Sequence, residues 1–157
     1  MNEREKKSPR WAFVLATLFG IGYFPVAAGT AGTVGAVPLY LLLARLPIYG
    51  YVLVLAALFA VGCLAAQLVQ KARGEPDPGI VVIDEAVGFF AAMFMLPCDW
   101  RYIVAAFFLF RFLDIVKPFP AGWFDKRVKN GFGIMMDDVV AGIYANLIIR
   151  AAVLAWG

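Results

Sequence analysis

Carboxylates stand beside apolar stretches at three places in this sequence. Asp84-Glu85 and Asp137-Asp138 are adjacent pairs, and Asp114 lies near the end of another apolar stretch. Two neighbouring carboxylates repel each other unless a cation lies between them, and the hard cation Mg²⁺ prefers oxygen ligands. Carboxylates close to hydrocarbon are rare and usually functional. The two pairs therefore predict a metal site, with Asp114 as a further ligand or a general base.

Helix capping is the alternative interpretation of the same acids. Asp84, Asp137 or Asp138 could accept hydrogen bonds from the free N–H groups at the start of a helix. A cap needs only one residue, however, and here the acids come in doublets. The doublets favour a divalent cation over capping alone.

Two basic residues adjoin the third acid. Arg111 and Asp114 are three residues apart and share one face of a helix, and Lys117 follows at its end, just before Pro118. Arg111 and Lys117 could grip a phosphate beside the metal. The alternatives are an ion pair within the helix for Arg111 and an ammonium that only reaches toward lipid headgroups for Lys117.

A glycine- and threonine-rich segment, Gly29-Thr30-Ala31-Gly32-Thr33, precedes an apolar stretch. Glycines let backbone N–H groups turn toward one point, a helix N-terminus favours an anion, and the two threonines add hydroxyl donors. Close helix packing through small residues is the alternative. No Gly-Lys-Ser/Thr follows, so the segment is not a Walker loop.

Together these groups suit hydrolysis of a phosphate ester on a lipid headgroup by a metal-activated water. Other phosphatase mechanisms need residues that this sequence lacks. The chain has no histidine, no Asp-x-Asp, and no arginine six residues after Cys63 or Cys98.

Composition indicates that the elements positioning these groups lie in a bilayer. Of the 157 residues 63% are hydrophobic and 16% charged, and the mean hydropathy is +0.81, which exceeds what a small soluble domain can bury. Disorder is excluded, and a net charge of +3 with no basic face argues against nucleic-acid binding. Apolar stretches cover 11–28, 34–46, 48–70, 83–97, 101–116 and 138–156.

We therefore predict an all-α fold: a small integral membrane helical bundle of about five spanning or partly spanning helices. Five glycines fall between residues 20 and 35, so residues 11–28 are expected to form an N-terminal re-entrant or broken segment. A full span and a signal peptide are the alternatives. Residues 1–10 are expected to be a polar basic cytoplasmic tail, and 11–157 a single membrane-embedded catalytic domain.

The positive-inside rule gives the orientation of this bundle. With 11–28 re-entrant, eleven of the fourteen basic residues fall on the inner side, leaving only three outside: Arg45, Arg101 and Arg150. The predicted acids from the separate stretches then share the inner face. The location expected is the bacterial cytoplasmic membrane, with several passes.

Five stretches together resemble the phosphatidylglycerophosphatase A family. They are Gly29–Thr33, Ile83–Glu85, Phe110–Pro120, Trp123–Asp125 and Gly131–Gly142, in matching order and spacing over roughly residues 11–145. The resemblance implies Mg²⁺-dependent removal of the terminal phosphate of phosphatidylglycerophosphate, a phospholipid of the inner leaflet, giving phosphatidylglycerol.

The matching positions supply the expected roles. Metal ligands would be Asp84, Glu85, Asp137 and Asp138. Catalytic groups would be Asp114, Arg111, Lys117, Thr30 and Thr33. Contacts to the substrate would come from Gly29, Gly32, Arg111, Lys117 and Asp125, with a structural role at the membrane interface as the alternative for Asp125.

Two other function classes remain open. A CDP-alcohol phosphotransferase also combines carboxylates and metal in a membrane, but its Asp-Gly-x-x-Ala-Arg signature is absent. A small transporter or channel could line an ion path with acids, but such proteins often show repeated halves, and no repeat is visible here. Phosphate release by purified protein separates an enzyme from a transporter.

Overall fold

The computed structural model describes residues 9–156, so the predicted tail, residues 1–10, lies largely outside the described residues. The described part contains seven α-helices, one short 3₁₀ helix at Ile21–Tyr23 and no strand. The helices are α1 (Arg10–Ala16), α2 (Ala28–Leu43), α3 (Ile48–Arg73), α4 (Ile83–Met93), α5 (Trp100–Val116), α6 (Ala121–Arg127) and α7 (Gly131–Trp156). The prediction of an all-α fold is confirmed.

Helix α4 is the centre of the bundle, and nearly all of its side chains are buried. It packs against α7 most extensively and also against α2, α3 and α5. Its crossing with α7 is close because glycines face each other: a Cβ added to Gly142 would collide with the Gly88 carbonyl oxygen. A Cβ on Gly88 would lie 2.8 Å from the carbonyl oxygen of Asp138. The two helices that carry the acidic doublets are therefore in direct backbone contact.

The carboxyl end of α4 is capped by side chains of α7. Asn146 Nδ2 donates to the carbonyls of Ala92 and Phe94, both at 2.8 Å, and Arg150 Nη2 donates to Phe94 at 2.8 Å. Since the last carbonyls of a helix have no partner within it, these bonds satisfy groups that would otherwise be buried without one.

The expected break in the first apolar stretch is present. Helix α1 ends at Ala16, and Leu18, Phe19 and Gly20 then adopt left-handed backbone angles with φ of 47°, 58° and 98°. A continuous helix is impossible there, because left-handed residues end the helical hydrogen-bond pattern. The chain passes through the 3₁₀ helix into α2.

Two predicted boundaries are wrong. Helix α7 begins at Gly131 and not at 138, because the Asn130 side chain accepts from the Gly133 N–H and caps an earlier start. Helix α2 begins at Ala28 and not at 34, so the Gly/Thr segment forms its first turns. The short helix α6 lies between the apolar stretches 101–116 and 138–156, where no apolar stretch indicated a helix.

Among residues 9–156, two helices are long and apolar enough to cross a membrane, judged by length and composition: Ile48–Arg73 and Gly131–Ala155. Large apolar side chains are also exposed on other helices, such as Phe108, Phe112 and Ile115 of α5, at 67%, 60% and 73%. These features are consistent with a membrane-associated protein.

Candidate active site

A polar cavity of about 330 Å³ lies where the start of α2, the start of α4, the end of α5 and the first half of α7 meet. Its wall contains all eight charged residues that the sequence singled out: Asp84, Glu85, Arg111, Asp114, Lys117, Asp125, Asp137 and Asp138. Residues separated by up to 54 positions, Asp84 and Asp138, thus share one space.

Three carboxylates form the tightest group in this cavity. One oxygen from each of Asp84, Glu85 and Asp138 lies within 4.8 Å of the others. Glu85 Oε2 and Asp138 Oδ2 are buried and have no hydrogen-bond partner within the described part of the chain. Buried carboxylate oxygens without a partner are costly, and a divalent cation would satisfy them. The donor set, all oxygen, fits Mg²⁺.

The capping interpretation is wrong for Asp137 and Asp138; Asp84 is not the residue that precedes its helix, but its Oδ1 accepts from the Glu85 N–H, a free N–H of the first turn, at 3.1 Å. Val82 is the residue that precedes α4, and Asp84 lies inside its first turn. Asp137 and Asp138 lie well inside α7, because that helix begins at Gly131.

Asp137 takes a different position from the other predicted ligands. Its Oδ2 lies 2.6 Å from Lys117 Nζ, which also lies 2.8 Å from Asp125 Oδ1. Lys117 ends α5 in a left-handed conformation, φ 49°, and so turns toward these carboxylates. Burial alone would lower the pKa of Lys117, but the hydrogen bonds and charges of Asp125 and Asp137 raise it overall. Lys117 is therefore protonated and bridges α6 and α7. Its contacts with two carboxylates do not fit a side chain that only reaches toward lipid headgroups.

Arg111 makes the predicted pair within its helix and faces the acidic group as well. Its Nη1 lies 2.7 Å from Asp114 Oδ2 and 3.8 Å from Glu85 Oε1. The structural and functional interpretations of Arg111 are thus compatible. Its Nε is buried without a hydrogen-bond partner among the described residues, which leaves a donor for an anion.

Gly29 is the part of the Gly/Thr segment that reaches the cavity wall. A Cβ at this position would collide with Glu85 Oε1 and would lie 2.9 Å from Arg111 Nη2. Glycine is required here because these two charged groups pass directly over the first turn of α2.

The structure does not bring Thr30, Gly32 or Thr33 to the cavity wall. Thr33 is fully buried, and its hydroxyl donates to the Gly29 carbonyl at 3.0 Å, a bond within α2. Gly32 packs against Val82, with an added Cβ 2.7 Å from that side chain. These residues miss the cavity wall because α2 begins at Ala28, so that only its first residues face the cavity. Gly32 instead has the role of close helix packing, which was the alternative interpretation of the Gly/Thr segment.

Sequence reasoning missed several residues of the wall. Asp77 and Gly79 come from the loop after α3, and Lys129 from the loop before α7. In the sequence, Lys129 counted only as one of the eleven basic residues on the predicted inner side. Nothing in their spacing indicates that both loops fold over the cavity.

Comparisons with known proteins agree with this geometry. The family model described as Phosphatidylglycerophosphatase A matches residues 14–153. Proteins named Phosphatidylglycerophosphatase A from Haemophilus influenzae and Escherichia coli are 42% and 40% identical over 140 and 141 residues. The alignments cover 88% and 89% of this chain, and 86% and 81% of the two relatives.

A third relative carries a different name. A Bacteroides thetaiotaomicron protein named "Putative phosphatidylinositol-3-phosphatase" is 40% identical over 147 residues, which cover 88% of this chain and 91% of that protein. No solved structure gives a significant match.

The family model and the relatives cover most of the chain, and the motifs that match the family line one cavity. The chain therefore belongs to the phosphatidylglycerophosphatase A family and is an enzyme, a phosphatase.

Proposed function

We propose that this phosphatase hydrolyses phosphatidylglycerophosphate to phosphatidylglycerol and inorganic phosphate, with Mg²⁺, at the cytoplasmic face of the bacterial inner membrane. The observation that carries the proposal is the convergence of eight charged residues on one cavity. The chain is also about 40% identical to two proteins named Phosphatidylglycerophosphatase A.

Asp84, Glu85 and Asp138 would hold the Mg²⁺, with Asp137 completing the predicted set. When bound, the ion would polarise the phosphate ester and supply a nucleophilic water at neutral pH. The unpartnered oxygens of Glu85 and Asp138 support this assignment.

The remaining charged groups would bind and orient the phosphate. Arg111 lies beside the acidic group and can neutralise charge that develops on the phosphoryl oxygens. Lys117 provides a second cation and fixes Asp137. Asp114, held by Arg111 at 2.7 Å, would act as a further ligand or as the base that takes a proton from the attacking water. Gly29 leaves the space that the Glu85 and Arg111 side chains occupy over the first turn of α2.

The lipid tails would lie against α5. Ile115 lines the cavity and is also 73% exposed, and Phe112 and Phe108 continue the exposed apolar surface along the same helix. A headgroup can thus enter the cavity from the inner leaflet while its acyl chains stay in contact with apolar side chains.

The test is release of phosphate from phosphatidylglycerophosphate by the purified protein in maltoside detergent. We expect Mg²⁺-dependent release that EDTA abolishes, and its near-complete loss in Asp84→Asn and Asp138→Asn. Asp99→Asn is the matched control, because Asp99 caps the opposite end of α5 and asparagine can keep the cap. Wild-type rates for both site variants would refute the metal assignment.

The same assay distinguishes other substrates and functions. Phosphatidylinositol 3-phosphate, suggested by the name of the third relative, should be hydrolysed much more slowly than phosphatidylglycerophosphate. The reverse order would replace the proposed substrate. No release of phosphate from either lipid by folded protein would revive the transporter alternative.

The proposed membrane arrangement has α2, α3, α4, α5 and α7 spanning fully or partly, with the broken 10–27 segment re-entrant. Cys98 is exposed in the α4–α5 connection and should then face outward. In a Cys63→Ala background, an impermeant maleimide added to intact cells should label Cys98, whereas Glu75→Cys in a chain that also carries Cys63→Ala and Cys98→Ala should react only after the membrane is opened. Labelling of both from outside would refute this arrangement.

A further inference from the structure

The three cations in the cavity wall differ in how they are paired. Arg111 lies 2.7 Å from the carboxylate of Asp114, and Lys117 bridges Asp125 and Asp137. Lys129 Nζ donates instead to the main-chain carbonyl of Asp125, at 2.5 Å. Within residues 9–156 its ammonium forms no ion pair, in contrast to the side chains of Arg111 and Lys117.

Lys129 also lies at the outer end of a chain of contacts. The chain runs from Asp137 through Lys117 and Asp125 to Lys129. Exposure rises along it, from 7% for the Asp137 side chain to 29% for Lys117 and Asp125, and Lys129 is exposed. Lys129 therefore lies at the rim, with the buried acidic group further in.

A buried glutamine fixes the main chain at this lysine. Gln70 Nε2 donates to the carbonyls of Pro76, at 2.6 Å, and of Lys129, at 3.3 Å. Gln67 Nε2 donates to Gln70 Oε1, and Gln67 Oε1 accepts from the Gly131 N–H. The end of α3 thus ties the two loops of the cavity wall together and holds the main chain of Lys129, while the Asp125 carbonyl of α6 holds its ammonium.

We propose that Lys129 binds the phosphodiester group of the lipid substrate and so determines specificity for headgroups with two phosphates. This inference rests on the proposed function. Phosphatidylglycerophosphate carries a terminal phosphomonoester and, one glycerol unit away, a phosphodiester. When the monoester occupies the inner part of the cavity beside Arg111, the diester lies toward the rim, where Lys129 offers its positive charge.

The test compares Lys129→Gln with Lys126→Gln in maltoside micelles, where the substrate contains the only phosphodiester. Lys126 is exposed in α6 and does not line the cavity, so it controls for general loss of charge. Phosphatidic acid, which has a monoester and no diester, serves as the comparison lipid, both as substrate and as competitor.

For Lys129→Gln we expect KM for phosphatidylglycerophosphate to rise about fivefold, the effect of losing one solvent-accessible charge contact. Preference for this lipid over phosphatidic acid should fall by the same factor, and Lys129→Arg should restore it. Lys126→Gln should change neither quantity.

Three results would overturn the inference: an unchanged KM in Lys129→Gln, an equal loss for both lipids, or an equal effect in Lys126→Gln. A KM effect that appears only in liposomes rich in phosphatidylglycerol would also overturn it, because Lys129 would then bind bulk lipid. Failure of the proposed function would look different, since the wild-type protein would release no phosphate from phosphatidylglycerophosphate.

Discussion

Replacing Gly29 with alanine tests how closely α2 must approach the charged groups of the cavity. The added methyl carbon would overlap Glu85 Oε1 and lie 2.9 Å from Arg111 Nη2 and 3.2 Å from Nη1. Carbon and nitrogen or oxygen atoms without a bond between them need about 3.4 Å, so the guanidinium must move by roughly half an ångström and the carboxylate by roughly one.

Displacement on this scale is expected to lower both catalysis and stability. A misplacement of about 1 Å can reduce a rate about 100-fold, which corresponds to about 2.7 kcal/mol of activation free energy. Extra volume at a packed site typically lowers the free energy of unfolding by about 1–3 kcal/mol. We therefore expect Gly29→Ala to fold with a modestly lower Tm and to lose about 99% of kcat.

The assay is phosphate release at saturating phosphatidylglycerophosphate and Mg²⁺, with Tm measured on the same preparation. Gly79→Ala is the matched control: this glycine lies at the same cavity, but no atom lies within 4 Å of an added Cβ. A kcat for Gly29→Ala within about threefold of Gly79→Ala would refute the reasoning, since the placement of Glu85 and Arg111 would then not limit the rate.

Three further predictions concern other contacts. Thr33→Val should keep kcat within about threefold of wild type, because the hydroxyl donates to the Gly29 carbonyl away from the cavity wall. A loss of kcat near 100-fold in the phosphate-release assay would show instead that the hydroxyl acts on phosphate. Lys117→Met should lower kcat by at least about 100-fold and should also lower Tm, because it leaves the carboxylates of Asp125 and Asp137 without their cation. Asp125→Asn should lower kcat and Tm much less. Equal losses in the two variants would contradict this prediction. Asn146→Leu should lower the free energy of unfolding by about 1–3 kcal/mol, because the Ala92 carbonyl at the end of α4 loses its donor and the Phe94 carbonyl keeps only Arg150. An unchanged Tm would exclude this capping role.

The sequence predicted the composition of the site better than its geometry. The doublets Asp84-Glu85 and Asp137-Asp138 and the Arg111–Asp114 spacing were informative because charge near apolar stretches is costly and its spacing on a helix is regular. These patterns identified charged residues that the structure brings to one cavity. Their chemical roles stay predictions.

The geometry of the site depends on where each helix begins and on how the loops fold, and local sequence patterns do not determine either. The early start of α2 turns Thr33 into the bundle, and the Asn130 cap places Asp137 and Asp138 inside α7 and not at its first residue. Lys129 reaches the cavity only because Gln70, 59 residues away in sequence, binds its carbonyl. Contacts at such separation leave no periodic signal in the chain.

The shortness of α4 has a consequence for the surrounding lipid. Its eleven residues extend about 16 Å, roughly half of a hydrocarbon layer of about 30 Å. In the proposed arrangement the acids at one end and the carbonyls capped by Asn146 and Arg150 at the other cannot both reach headgroup depth in a flat bilayer. The enzyme would therefore favour a locally thinned membrane, and hydrophobic mismatch with long acyl chains would oppose the conformation in which its cavity is accessible to headgroups.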